Sequence, residues 1–426
     1  MLDTREHAAS YYAATRNTDV TYPGFSGELR CDIAVVGGGF TGVSAALYLA
    51  ERGYDVVLVE ANRIGWGATG RNGGQLIDGF TNVENIRKRI GSAEADMVRA
   101  MGLECRDIVV DRIKQYSIDC DLKFGFLDVA ARPAEMRDLE DYIEDSQRHH
   151  YPHEMRIVDQ VDMRDYVETD QYIGGLVNMG NGHLHPLNLC LGEARAASDL
   201  GVKIFEQTKV TRVRHGAKPF IETESGKIFA NKVLLAGNAY LRDTVPKLKR
   251  TVIPVGSYII ATEPLGDERA RALLPPDMAY CEQCTALNYF RLSTDGRMLF
   301  GGLCNYSGRN PKSITASLLP KLLKIFPQLE GVRVDYEWGG YIGISVKRIP
   351  QFGRIEGNTY YVQGYSGHGI APTHLGGKIL ADVVAGDTEQ FDIFSKVFHF
   401  PMPGGKWFAN PALALGMMYY RIKELL

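Results

Sequence analysis

The sequence predicts an α/β fold, α+β overall, in which a strand–turn–helix domain is split by an inserted domain rich in β-sheet. Three observations predict it. Residues 32–60, DIAVVGGGFTGVSAALYLAERGYDVVLVE, read as strand, glycine turn, helix and strand. Residues 359–385 repeat that order, with a short apolar strand, the run GYSGHG and a helix. Between them, residues 254–306 are β in texture, with Asp295-Gly296 as a hairpin turn. At 426 residues the chain exceeds one ordinary core, so two domains are expected.

The first unit carries the G-x-G-x-x-G spacing at Gly37, Gly39 and Gly42. The first glycine permits the turn, the second admits a pyrophosphate against backbone, and the third lets helix and strand pack closely. The helix starts near Thr41, its unpaired N–H groups and positive dipole end facing the phosphates, and Phe40 and Thr41 are assigned to that ligand. Glu60 ends the second strand, where an acid holds ribose hydroxyls and disfavours a 2′-phosphate. This Rossmann-type unit therefore suits FAD or NAD better than NADP. Ala61 follows Glu60 and is assigned to the same ligand, as are Val210 on the strand expected over 209–213 and Gly237 after the strand expected over 232–236.

The other elements follow in chain order. Residues 1–30 form an arm that Tyr11, Tyr12, Tyr22 and Phe25 can pin to the body. Residues 65–75, GWGATGRNGGQ, hold too many small residues for a core element. Backbone at Gly67, Ala68, Gly73, Gly74 and Gln75 can approach a flat ligand, and Arg71 and Asn72 can donate to it. Residues 92–116 have helical spacing, 124–130 are strand-like, and 133–150 read as a charged, solvated helix. Residues 180–185 read as a loop; Pro186 opens a helix that Gly201 stops. Strands are expected over 202–206, 220–223, 255–262, 289–293, 298–301, 334–338 and 359–363, and helices over 313–326 and 372–385. The nucleotide domain is assigned residues 31–85, 150–245 and 335–400, the inserted substrate domain 86–149 and 246–334, and an aromatic, Met-rich tail 401–426.

Composition narrows the function. A net charge of −3 without a basic block argues against a nucleic-acid partner. The seven cysteines are scattered, which fits a reducing compartment. Cys281 and Cys284 form one C-x-x-C without a second pair or nearby histidines, so no metal is expected. No transmembrane run of about 18 apolar residues and no signal pattern is visible, so the expected address is cytoplasmic. The sequence is silent on oligomeric state.

Four blocks together resemble the D-amino-acid-oxidase-like superfamily of FAD oxidoreductases: the fingerprint with Glu60, the loop 65–75, the strand 232–237, and the terminal block 360–369. Within it, SYYAAT, GRNGGQ, HLHPLNL, AGNAYL, FPQLEGV, RIPQFGR and YYVQGYSGHG are similar to the bacterial gamma-glutamylputrescine oxidoreductases and related polyamine-catabolic oxidases. The resemblance implies FAD, oxidation of a small-molecule amine at its carbon–nitrogen bond, an aldehyde after imine hydrolysis, and dioxygen as acceptor, giving peroxide. It also implies that amino-acid oxidases of the superfamily carry a carboxylate-binding arginine where Ile342 stands here. An isoleucine cannot clamp a carboxylate, so the reacting carbon is expected to lack one. The cysteine used for covalent flavin attachment in sarcosine-oxidase relatives is absent after Asn305, so FAD is expected to be non-covalent.

Site residues follow from this reading. Gly367, His368 and Gly369 are expected at the flavin, with His368 open to an acid–base role, and Tyr341 beside them. Tyr258, Trp338 and Tyr365 are candidate aromatic walls, and Tyr289, Tyr306 and Ile342 candidate substrate contacts; each is also an ordinary core residue. Lys347 is a candidate positive charge near the ring, and Glu282 a candidate contact for a cationic tail. Two alternatives stay open: a sarcosine-type secondary-amine or N-methyl amino-acid oxidase, and a flavin-binding interaction protein without turnover.

Overall fold

The computed structural model describes residues 5–80, 87–88, 91–241, 244–284, 287–305 and 311–401. Two sheets organise them. The first has eight strands, with Gln351–Arg354, Thr359–Gln363, Gly226–Leu235, Gly27–Val36, Val56–Val59 and Lys203–Phe205 side by side. Val210–Arg214 and Phe220–Thr223 form an antiparallel flap beside it. Its central strands run parallel and are covered on both faces, which is why IAVV and VVLV are continuous apolar runs rather than alternating ones. On one face lies helix Phe40–Glu51, flanked by Pro186–Asp199 and Ile370–Ala385. Its approach to Ile370–Ala385 requires Gly377, whose Cβ would stand 2.7 Å from Thr41 O.

The second sheet has nine strands: Val334–Ser345, Val252–Thr262, Met298–Asn305, Tyr289–Leu292, Ala279–Glu282, Lys123–Ala130, Gly174–His183 and Gln75–Leu76 in order, with Met155–Asp159 on Gly174–His183. Tyr280, Phe290 and Phe300 pair across three strands and stack at 5.0 and 6.2 Å, filling a core closed by helix Ile314–Ile325. The arm is anchored by the turn Tyr11–Ala14. The Tyr12 ring meets His185 at 5.0 Å and Trp338 at 5.4 Å.

Several elements differ from the sequence reading. Gly180 to His183, expected as loop, continues a strand. Gly182 is there because the strands crowd at a bulge, where a Cβ would lie 2.1 Å from Lys123 O, and Gly180 makes room for the side chains of Tyr151 and His153. Val334–Ser345 runs past Trp338, with Gly339, Gly340 and Gly343 admitting Tyr258, Arg71 and Asn238 onto the strand. Met155–Asp159, Gly174–His183 and Val334–Ser345, grouped by sequence with the nucleotide unit, hydrogen-bond into the second sheet. The tail from 402 onward lies outside the described residues.

Candidate active site

The dinucleotide turn is built by close approach. Gly37 has φ +113°, and a Cβ there would meet Ala236 and Gly237 backbone at 3.0 Å. A Cβ on Gly42 would lie 1.9 Å from Gly37 O. Gly39 caps the helix, and Phe40 N–H donates to Thr69 Oγ1 at 3.1 Å. Thr41 Oγ1 and Tyr365 Oη share a 2.9 Å hydrogen bond, tying this helix to the terminal loop. Glu60 braces the turn: its oxygens accept Gly38 N–H at 2.7 Å and Asn62 N–H at 2.9 Å. Burial raises its pKa, opposed by those bonds. Ala61 is exposed beside it. The Val210 side chain is packed in the apolar core with Val36 and Val59.

The loop after the nucleotide strand is held from within. Arg71 Nε donates to Trp66 O at 2.7 Å and Nη1 to Gly339 O at 3.1 Å, while the guanidinium lies 4.3 Å over the Trp66 ring. Burial lowers the Arg71 pKa. Its Nη2 is buried and has no partner in the structure. Gly67 faces the Tyr240 ring and Gly73 the Tyr289 ring, and Ala68 opens a short turn over Ala68–Gly70. Asn72, expected to donate to the ligand, spends its amide on Ala68 O and Thr69 O, and its oxygen accepts Gly74 N–H. The Gln75 amide likewise donates to Tyr280 O at 3.0 Å.

The terminal block closes over the same end. Gly364 N–H donates to Asn238 Oδ1 at 2.9 Å, beside Gly237. Ser366 and Gly367 take left-handed φ of +59° and +95°, and Gly369 caps helix Ile370–Ala385. His368 Nε2 donates to Asp78 O at 3.0 Å, and burial lowers its pKa against the Asp78 charge. With Nε2 so used, a neutral His368 keeps Nδ1 as acceptor. Tyr341 N–H donates to Tyr240 Oη at 2.9 Å.

The other candidates lie among protein neighbours. Tyr258 is buried in the core with Phe290 and Phe300, and burial pushes its pKa to about 12. Trp338 Nε1 donates to Arg71 O at 3.2 Å and supports the loop from behind. Tyr365 is buried and its pKa raised by that burial. Lys347 does not sit as a bare charge at the turn: its ammonium donates to Phe398 O and lies 5.1 Å over Phe400. Glu282 braces its own hairpin, accepting from Tyr172 Oη and from Asn288 N–H and Nδ2. Tyr289 is half-buried between Gly73 and Gly301. Ile342 packs on Ile253, Val255 and Ile344, with Gly367 against its Cδ1. Tyr306 lies outside the described residues.

Thr69, Asn238, Tyr240 and Asp78 escaped the sequence reading, as did a fully buried pair, His374 Nε2 to Glu193 Oε2 at 3.0 Å. Their only sequence signal is a polar residue inside an apolar or glycine-rich run.

Residues 32–383 match the family model of FAD dependent oxidoreductases, so the chain belongs to that family. It is 43% identical over 425 residues to gamma-glutamylputrescine oxidoreductase of Escherichia coli, covering 99% of each chain. It is 39% identical to a probable oxidoreductase of Haemophilus influenzae, covering 99% of this chain and 98% of that one. In fold it is similar to glycine oxidase from Geobacillus kaustophilus, with a TM-score of 0.72 at 20% identity over 87% of this chain and 100% of that one. L-proline dehydrogenase from P. horikoshii gives 0.70 at 20% identity over 91% and 99%.

FAD fits the residues present. The cradle between Gly37, Gly42 and Gly237 leaves no room for a Cβ, and the buried Arg71 Nη2 lacks an acceptor that a flavin carbonyl or phosphate oxygen can supply. The turn around Gly37–Gly42 would hold the pyrophosphate, Glu60 the ribose, and the loops around Arg71 and His368 the ring system.

Proposed function

We propose that this enzyme oxidises the terminal amine of gamma-glutamylputrescine or a related polyamine derivative. The overall conversion is R–CH2–NH2 + O2 + H2O to R–CHO + NH3 + H2O2, with dioxygen as the electron acceptor, a dissociable FAD and a cytoplasmic setting. The observation that carries this reading is Ile342: beside Gly367 of the terminal loop stands an apolar cluster where an amino-acid oxidase needs a cation for the substrate carboxylate. The likeness to the Escherichia coli enzyme over the whole chain supports the same substrate class. Among the described residues no helix is long and apolar enough to cross a membrane.

When bound, FAD supplies the acceptor for a hydride equivalent from the carbon bearing the amine. The residues of the chain prepare that transfer. Apolar walls at Ile342 and Tyr289 exclude water and favour the neutral amine, whose lone pair the reaction needs. The N-terminus of helix Ile370–Ala385 directs positive potential toward the loop at Gly367–Gly369, where negative charge gathers on reduction. His368 keeps its Nε2 proton on Asp78 O and orients the loop.

The test is anaerobic bleaching of the yellow holoenzyme by gamma-glutamylputrescine, putrescine, spermidine, sarcosine and a D-amino acid. Rapid bleaching by the first, with the amino acids inert, is expected. Bleaching by sarcosine or a D-amino acid instead overturns the reading of Ile342, and no bleaching by any amine overturns the reaction class.

A further inference from the structure

The sheet face that carries Tyr289 also carries an acid that the sequence reading passed over. Paired residues on neighbouring strands share a face. The register runs Asp128 to Cys281, Cys281 to Tyr289 and Tyr289 to Gly301. Asp128 therefore stands two strand spacings from Tyr289, about 10 Å away on the same face. That face looks toward the glycine loop, because the Tyr289 ring occupies the space a Cβ on Gly73 would need, at 2.6 Å.

Asp128 is not committed to the fold. Among the described residues its one side-chain hydrogen-bond partner is the exposed Gln283, whose Nε2 donates to Oδ1 at 2.6 Å. No lysine or arginine among the described residues pairs with it. Asp78, with its carboxylate held by Tyr151, adds a second negative charge nearby, and Tyr142 feels both. Burial pushes Asp128 up to about 7, the Asp78 charge adding to it. A carboxylate so placed is short of a cation. Arg71, only 6% exposed, leaves the Nη2 that a bound flavin can satisfy and so marks the cofactor end of this wall. It lies against Gly340, which stands on this same face through Gly340 to Ser257 pairing. One wall thus has the cofactor's donor at one end and, at the other, an acid held by a neutral amide with no cation beside it among the described residues.

We propose that Asp128 is a specificity-determining residue that receives a second cationic nitrogen of the substrate, remote from the amine that is oxidised. This rests on the amine-oxidation reading above. A gamma-glutamyl amine carries such a nitrogen in the α-ammonium of its glutamyl group, whereas a glutaryl amine of the same length does not.

The experiment compares gamma-glutamylputrescine with N-glutarylputrescine on wild-type holoenzyme, Asp128→Asn and Asp128→Glu, after checking that flavin content and melting temperature match. Wild type is expected to prefer the glutamyl compound by about 10- to 100-fold in kcat/KM, the worth of one charge-assisted hydrogen bond. Asp128→Asn is expected to erase that preference through KM rather than kcat, and Asp128→Glu to restore part of it. A wild type indifferent to the α-ammonium overturns the proposal without any variant. So does an Asp128→Asn that keeps the full preference. If neither compound is oxidised, the amine reading fails separately. The dissociation constant of gamma-glutamylputrescine, read from the flavin spectrum, then decides Asp128: a value equal in wild type and Asp128→Asn overturns its role.

Discussion

Replacing Gly42 by alanine tests whether one backbone contact sets the cofactor site. The new Cβ would lie 1.9 Å from Gly37 O, 3.1 Å from Gly37 C and 3.3 Å from Val35 Cγ1. Ordinary contact needs about 3.5 Å, so the helix start must retreat by about 1.5 Å from the turn it caps. Retreat is blocked from behind. Gly377 already sits where a Cβ would reach Thr41 O and Ala45 N at 2.7 Å. The obstacle is backbone on both sides, so the cost falls at the upper end of overpacking, about 3 kcal/mol. The helix N–H groups also leave their phosphate geometry, and a displacement of about 1 Å is worth roughly 100-fold. Flavin fluorescence titration of the apoprotein is expected to show FAD affinity at least about 100-fold weaker. Gly53→Ala is the control: Gly53 has φ +82° and nothing within 4 Å, so it costs only left-handed strain, about 1–2 kcal/mol, with unchanged FAD affinity. The reasoning is refuted if Gly42→Ala binds FAD like wild type, or if Gly53→Ala loses as much affinity.

Two further predictions concern buried histidines. Glu193 and His374 are both 0% exposed and join two helices that flank the dinucleotide helix, with the Phe40 ring 4.7 Å from the His374 ring. Glu193→Leu alone is expected to cost about 3–5 kcal/mol in urea unfolding, and Glu193→Leu with His374→Leu much less, because the double change leaves no lone buried polar partner; strictly additive costs would contradict this. Burial, with Arg291 nearby, lowers His183 to about 3 and His185 to about 4. Below an unfolded histidine value of about 6.5 the unfolded chain binds more protons, so stability is full above that pH and declines as pH falls toward 4. His183→Gln is expected to flatten that decline, and parallel curves for variant and wild type would reject the assignment.

The dinucleotide turn, the loop after it and the terminal strand–loop–helix were legible in sequence because their chemistry is local. Gly42 answers to Gly37 O within six consecutive residues, and Gly37 and Gly367 each to a left-handed turn, although Gly37 also makes room for Ala236 and Gly237 and Gly39 for Thr69. The same locality misled at Gly180 to His183 and beyond Trp338. Glycines there read as loop or as the end of a strand, yet they serve neighbours from distant strands, such as Lys123 O against Gly182. Asn72, Glu282 and Lys347 carry donor or charge types suited to a ligand, and the fold gives each a protein partner that the sequence does not reveal. What only the tertiary structure decided is which residues share a face and which polar atoms remain unpaired. Asp128 shares a face with Tyr289 through two strand pairings, and Glu193 meets His374 across 181 residues. A side chain's type is written in the sequence. Whether its hydrogen bonds and charge are already satisfied depends on register and packing between segments far apart in the chain, and this is what distinguishes the buried Arg71 Nη2 from a group spent on the fold.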